Sequence, residues 1–325
     1  MSAGPVAVLD EGVYLSAYLR PFRAWLDRED VTEILVNRPG EVWVEAAGAE
    51  RMAAYVTPEV DDLLLERLAG QIARVTHQAV NRERPLLSAV LPGGARVQMV
   101  GPPATRKHWA LAVRRHRMVD LPLDAWRREG GGAPAPELNQ LLRSAGDPID
   151  FLRQAVARRA TILISGGTSS GKTTFLNALL REVPAEQRVV LVEDTPEIQL
   201  SGANGVGLIA VKGEMGEARV TPDDLLQAAL RLRPDRIVLG ELRGSEAVSF
   251  LRAINTGHPG SFTTLHANSP RGALEQLALM VMQAGLGLSR ADTIAYARSV
   301  IDVVVQLDRQ GGARGVAAVE LTKAM

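Results

Sequence analysis

Gly166, four residues, then Gly171-Lys172-Thr173 place a curling backbone, a lysine and a hydroxyl within one short segment. In "LISGGTSSGKTTFLNALL" that segment follows an apolar run and opens a helical pattern. This is the context in which such spacing cradles phosphate. Backbone N–H groups along Gly166, Gly167, Thr168, Ser169, Ser170 and Gly171 converge on anionic oxygens, and the helix N-terminus adds partial positive charge. Lys172 reaches the β- and γ-phosphates as a point charge. The Thr173 hydroxyl suits Mg²⁺, and Thr174 closes the binding segment. The chemistry implied is binding of a nucleoside triphosphate.

Hydrolysis needs more: a carboxylate to orient or deprotonate water, and positive groups to stabilise the transferring phosphate. Two apolar runs end in acids. "VVLVED" ends in Glu193-Asp194, and "IVLGE" ends in Glu241. Ligands of open α/β sheets gather at the carboxyl ends of strands, so these acids belong near the phosphate loop. Glu241 is the preferred water activator. Glu193 and Asp194 either hold Mg²⁺ through water or position the γ-phosphate, and Asp194 alternatively caps "TPEIQL". "NTGHPGSFTTLHANSP" adds His258 and His266. Their spacing does not suit zinc. His266 ends an apolar run as the acids do, where a neutral imidazole can bond a γ-phosphate or a catalytic Glu. A turn histidine with a structural bond is the alternative, above all for His258.

The run "RKHWALAVRRHR" holds Arg106, Lys107, Arg114, Arg115 and Arg117. It reads as a solvated face, as a contact for an anionic membrane surface, or as arginines reaching nucleotide phosphates.

Elements must hold these groups in place. The segment "REGGGAPAPELN", residues 128–139, resists both helix and strand and is expected as a linker. Before it, over 1–127, "LLERLAGQIARVTHQAV" has helical spacing, with Leu64, Leu68, Ile72 and Val75 on one face. "EVWVEA", "ARVQMV" and "WALAVRR" read as strands, giving a small α+β domain. Tyr14, Tyr18, Phe22 and Trp25 line one side of a first helix as core. After the linker, over 140–325, apolar strands alternate with helices, which indicates a mostly parallel sheet covered on both faces. Thr221-Pro222 and Ser269-Pro270 mark helix starts. "LEQLALMVMQA" is apolar nearly all round, which predicts burial between layers.

The 325 residues carry 37 basic and 37 acidic side chains, which disfavours a globally basic nucleic-acid binder. There is no cysteine, so disulfides and thiolate metal sites are excluded. "MSAGPVAVLDEG" lacks a basic flank, and no secretory signal is expected there. The best apolar stretch, Gln276 to Ser289, is shorter than the about 20 residues of a membrane-spanning helix. A cytoplasmic chain is expected.

Four boxes stand in order: "GGTSSGKTT", "VEDTPE", "RPDRIVLGELRGSEA" and "NTGHPGSFTTLHANSPRGALEQL". Together they resemble the traffic ATPases of bacterial type IV secretion and conjugative transfer, the Vir-type and Trb-type members of the secretion-superfamily P-loop ATPases. The resemblance is dense from Ile149 to Gln306 and looser before the linker. It implies a RecA-like C-terminal domain, an N-terminal domain and ATP bound between them. It implies ATP and Mg²⁺, a homohexamer, channel proteins of the inner membrane as partners, and a peripheral place on its cytoplasmic face. It matches Glu241 to the family's catalytic glutamate, Glu193-Asp194 to its aspartate box and His266 to its histidine box. It matches Arg96 and Arg114 to arginines that close over nucleotide. The absence of cysteine separates the chain from relatives with a four-cysteine zinc module. A pilus-assembly or retraction ATPase is the alternative within the superfamily. A nucleotide-gated scaffold with little turnover and a nucleic-acid motor are alternatives of other classes, the last disfavoured by zero net charge and no evident stacking platform.

Overall fold

The computed structural model describes residues 13–91, 94–115, 138–145, 147–200, 202–212, 219–310 and 313–324. Arg117 and residues 128–137 of the expected linker lie outside them. The fold is mixed α/β, with two main sheets. Of the described residues, those within Met1–His116, Val192–Pro196 and Asn204–Pro234 form one unit. Those within Arg117–Leu191, Glu197–Ala203 and Asp235–Met325 form another.

The first unit opens with α1 (Val13–Leu19) and α2 (Arg23–Leu26), followed by β1 (Val31–Val36), β2 (Gly40–Ala46) and β3 (Ala53–Thr57). Then come α3 (Asp62–Val75), β4 (Leu86–Val90), β5 (Arg96–Val100) and β6 (Ala110–Arg114). The strands form an antiparallel sheet in the order β3-β2-β1-β6-β5-β4. Asp61 caps α3, its carboxylate accepting from Leu64 N at 2.7 Å. The buried face of α3 is Leu65, Leu68, Ala69, Ile72 and Ala73. That is a rotation from the expected face, since Leu64 and Val75 are only partly buried. Of the aromatic stripe, Phe22 and Trp25 enter the core, whereas Tyr14 is 65% exposed.

The basic run is not one solvated face. His108 Nδ1 lies 2.5 Å from Asp62 Oδ2, and Arg114 Nε lies 3.5 Å from Glu33. Arg106 binds Glu193, and Arg115 donates to the Arg28 carbonyl. Arg106, Arg114 and Arg115 thus have acceptors, while Lys107 is exposed.

The chain continues through α4 (Leu138–Ser144), α5 (Pro148–Ala157), β7 (Ile162–Gly166), α6 (Lys172–Arg181) and β8 (Val189–Glu193). Next come β9 (Gly205–Ile209), β10 (Val211–Lys212), β11 (Arg219–Val220) and α7 (Pro222–Ala229), which belong to the first unit. Thr221 caps α7 in a full capping box with Asp224. The second unit then adds β12 (Arg236–Leu239), α8 (Glu246–Asn255), β13 (Phe262–Leu265), α9 (Pro270–Gln283), α10 (Arg290–Val300), β14 (Val303–Gln310) and β15 (Ala313–Leu321).

In the second sheet β12, β13, β7 and β14 run parallel to one another, and β15 joins β14 antiparallel. β7, β8, β12 and β13 are buried along their whole length, as strands covered on both faces must be. Ser269 caps α9 as its Ser-Pro signal requires. Contrary to the expectation of all-round burial, Leu279 and Met282 on α9 are exposed. The helix is packed on one side only.

Arg236 is fully buried. It donates to the carbonyls of Gly260 and Val156 and to Gln187 Oε1, and it stacks 5.6 Å from the Phe262 ring centroid. Burial, with nearby Arg159 adding to it, pulls its pKa down to about 10. Gly260 makes room for this guanidinium. Its φ is +81°, and a methyl there would lie 2.9 Å from Arg159 Cα as well as against Arg236. Gly260→Ala is therefore expected to lower stability by about 2–4 kcal/mol, measured by denaturant unfolding.

Candidate nucleotide-hydrolysis site

Three neighbouring strands, β12, β13 and β7, deliver the site from their carboxyl ends. β7 ends in Gly166 and runs into the phosphate loop. β12 is followed by Gly240-Glu241, and β13 by His266. Thr264 Oγ1 donates to the Gly240 carbonyl at 2.8 Å, and Leu242 N donates to the Thr264 carbonyl at 2.9 Å. These bonds fix Glu241 beside His266. Ser165 Oγ and Gln306 Nε2 both donate to the Ala267 carbonyl, at 3.4 and 3.3 Å, and hold the turn after His266 against β7 and β14.

The loop has the backbone that a cradle requires. Gly171 has φ +91°, and Ser169, a non-glycine, has φ +63°. A methyl on Gly166 would collide with Ser170 Oγ and approach the Leu307 carbonyl to 3.1 Å. The Ser170 hydroxyl is buried with no hydrogen-bond partner in the structure. A buried hydroxyl without a partner is costly, and a bound anion would satisfy it. Thr168, Ser169 and Thr174 are exposed, while Gly167 and Thr173 are half-buried.

Lys172 is 8% exposed. Its ammonium donates to the carbonyls of Gly166 at 2.9 Å and Gly167 at 3.2 Å, and lies 3.2 Å from His266 Nδ1. Burial holds its pKa below the usual lysine range, and the Glu241 charge opposes that shift. His266 Nε2 lies 2.6 Å from Glu241 Oε1. The ammonium also lies 3.5 Å from His266 Nε2, so it faces the imidazole ring rather than a single nitrogen. Arg243 donates to the other Glu241 oxygen, Nε to Oε2 at 2.7 Å. Lys172, the imidazole and the Glu241 carboxylate thus lie within contact of one another.

His258 is structural. Its Nδ1 sits 3.0 Å from the Ala253 carbonyl, and its own carbonyl accepts from Ser261. The segment "TPEIQL" forms no helix, so Asp194 caps none. Asp194 is exposed at the end of β8, next to Glu193, which is 4% exposed. Arg106 grips Glu193 through Nε at 2.9 Å and through its second nitrogen, and Ala210 N donates to the Glu193 carbonyl. Arg96 and Arg114 stand directly opposite each other on β5 and β6. They line a cavity of about 750 Å³ in the first unit with Arg231, Arg233 and His77. Arg233 pairs with Glu45, and Arg231 donates to Ser88 Oγ at 2.9 Å.

The sequence reading did not single out Arg243, Arg231 or the grip of Arg106 on Glu193. For Arg243 a signal existed: an arginine two residues past a candidate base, on the same loop. The other two arise from residues far apart in the chain.

The family model described as "Type II/IV secretion system protein" matches residues 19–311. The type IV secretion system protein PtlH of Bordetella pertussis is 39% identical over 323 residues, covering 94% of each chain. VirB11 of Brucella suis is 38% identical over 292 residues, covering 85% of this chain and 80% of that one. Among solved structures, the VirB11 ATPase of the Brucella suis type IV secretion system, crystallised in complex with sulphate, superposes with a TM-score of 0.89. It is 35% identical and covers 98% of this chain and 97% of that chain.

Proposed function

Because the chain belongs to the type II/IV secretion system protein family, we propose that it is an ATPase that powers a type IV secretion machine. The observation that carries the hydrolytic part is the cluster of Lys172 at the start of α6 with His266 and Glu241 at adjoining strand ends. In this reading the phosphates of ATP take the place of the Gly166 and Gly167 carbonyls around Lys172, and Ser170 Oγ gains the partner it lacks. Water attacks the γ-phosphorus, the bond to the β-phosphate oxygen breaks, and Glu241 accepts the proton. His266 and Arg243 hold the carboxylate in register. Thr173 is the residue fitted to hold Mg²⁺, with Asp194 as a second candidate. When bound, that ion supplies neutralisation of the charge on the phosphate oxygens.

Glu193 acts through its buried pairing with Arg106, and Arg96 with Arg114 supplies positive charge for nucleotide phosphate. The chain works as a homohexamer at the cytoplasmic face of the inner membrane, against channel proteins. Among the described residues no helix is long and apolar enough to cross a membrane, which is compatible with a peripheral place there.

Phosphate release by the purified protein, with Mg²⁺ and with the metal chelated, tests the reaction. Light scattering with and without Mg·ATP tests the assembly. Mg²⁺-dependent release and a six-subunit mass are expected. No release under any condition overturns the ATPase reading, and a monomer at all nucleotide concentrations overturns the ring.

A further inference from the structure

The β14–β15 hairpin sets an arginine against the phosphate loop. A methyl on Gly171 would lie 3.0 Å from Arg314 Cδ, 3.7 Å from its Nε and 4.0 Å from one terminal nitrogen. Gly171 is the N-cap of α6, so the Arg314 side chain lies over the positive end of that helix dipole. Arg314 also stands directly opposite Arg309 across the hairpin. Asp308, one place along β14, points to the other face, as successive strand residues do. Among the described residues no hydrogen bond or ion pair holds Arg314.

Arg314 and Arg309 are both exposed, so solvent screens them, but neither neighbour offers a cation a favourable partner. A cation at a helix N-terminus and a like charge directly across a strand pair are both destabilising. The fold nevertheless brings the arginine there. A bulge between Gln306 and Leu307 shifts the hairpin register, and the Leu307 carbonyl packs against Gly166. A group that would suit Lys172, the α6 N-terminus and Arg314 together is an anion.

We propose that Arg314 is a phosphate-contacting residue of the nucleotide site, donating its planar fork to the phosphate chain beside Gly171. This rests on the nucleotide reading above. It adds a contact from outside the four sequence boxes and ties the C-terminal hairpin to the state of the loop. Arginine suits the role because two parallel N–H donors match two phosphate oxygens, which a lysine cannot reproduce.

The test is ATP binding and unfolding of full-length Arg314→Ala and Arg314→Lys beside the parent. Binding is measured by calorimetry with the non-hydrolysable analogue AMP-PNP. Loss of a charge-assisted contact is expected to weaken Arg314→Ala about tenfold or more, with Arg314→Lys in between. The nucleotide-free melting temperature of Arg314→Ala is expected to be unchanged or raised, since the substitution removes repulsion from Arg309 and the helix end. Sodium tripolyphosphate should show the same loss as AMP-PNP if the contact is to phosphate. Equal affinity of parent and Arg314→Ala overturns the proposal, as does a loss confined to AMP-PNP and absent for tripolyphosphate. A lowered nucleotide-free melting temperature assigns Arg314 a structural role and also overturns it. If the parent itself binds neither ligand, the nucleotide reading fails, a result distinct from these.

Discussion

Glu241→Gln binds ATP with the parent's affinity and hydrolyses it about a hundred to ten thousand times more slowly, the usual contribution of a positioned general base. The reasons lie in the geometry. The Glu241 side chain is 17% exposed, flanked by His266 on one oxygen and Arg243 on the other. Glutamine keeps the shape and an oxygen for one of these donors, so the strand ends stay tied by the Thr264 and Leu242 bonds. It cannot accept a proton from water. Single-turnover hydrolysis separates this step from binding and product release. Hydrolysis by Glu241→Gln at the parent rate would remove Glu241 as the base.

Lys172→Ala shows the largest loss of affinity. The ammonium now spends its donors on the Gly166 and Gly167 carbonyls, and those same donors meet phosphate oxygens when nucleotide arrives. Two or three charge-assisted hydrogen bonds at about 1.5–3 kcal/mol each predict binding weaker by at least a hundredfold. Turnover falls with it. Calorimetric titration with ADP and ATP checks the affinity, and far-ultraviolet circular dichroism checks that the variant is folded. Parent-like affinity would mean that phosphate binds elsewhere.

The loop, Glu241 and His266 were legible in the sequence because each is local. A short apolar run ends in a chemically active residue, and parallel strands put such ends on one edge. The two helix starts at Thr221 and Ser269 were legible for the same reason, since a cap and the turn it closes are adjacent. Pairings across the chain were not legible. Glu193 and Arg106 are 87 positions apart, and nothing in either neighbourhood announces the other. The solvated-face reading of the basic run holds for Lys107 and Arg114 but missed the pairing of Arg106, because an exposed arginine and one with a distant carboxylate look alike in one dimension. α10 buries only Thr293 and Ala297, which leaves almost no apolar period to read. β15, "ARGVAAVEL", mixes charge, glycine and alanine, and its place is set by pairing with β14. The exposed side of α9 was hidden because apolar residues on a surface resemble apolar residues in a core.

The bonds that tie the ends of β12, β13 and β7 have a mechanical consequence. Glu241, His266 and the root of the phosphate loop are riveted into one block by Thr264, Leu242, Ser165 and Gln306. Such a block is a stator. Base and phosphate cradle are tied to one another through these bonds, so a change at one strand end is felt at the others. Whatever moves during a cycle is then to be sought first outside this tied set of strand ends.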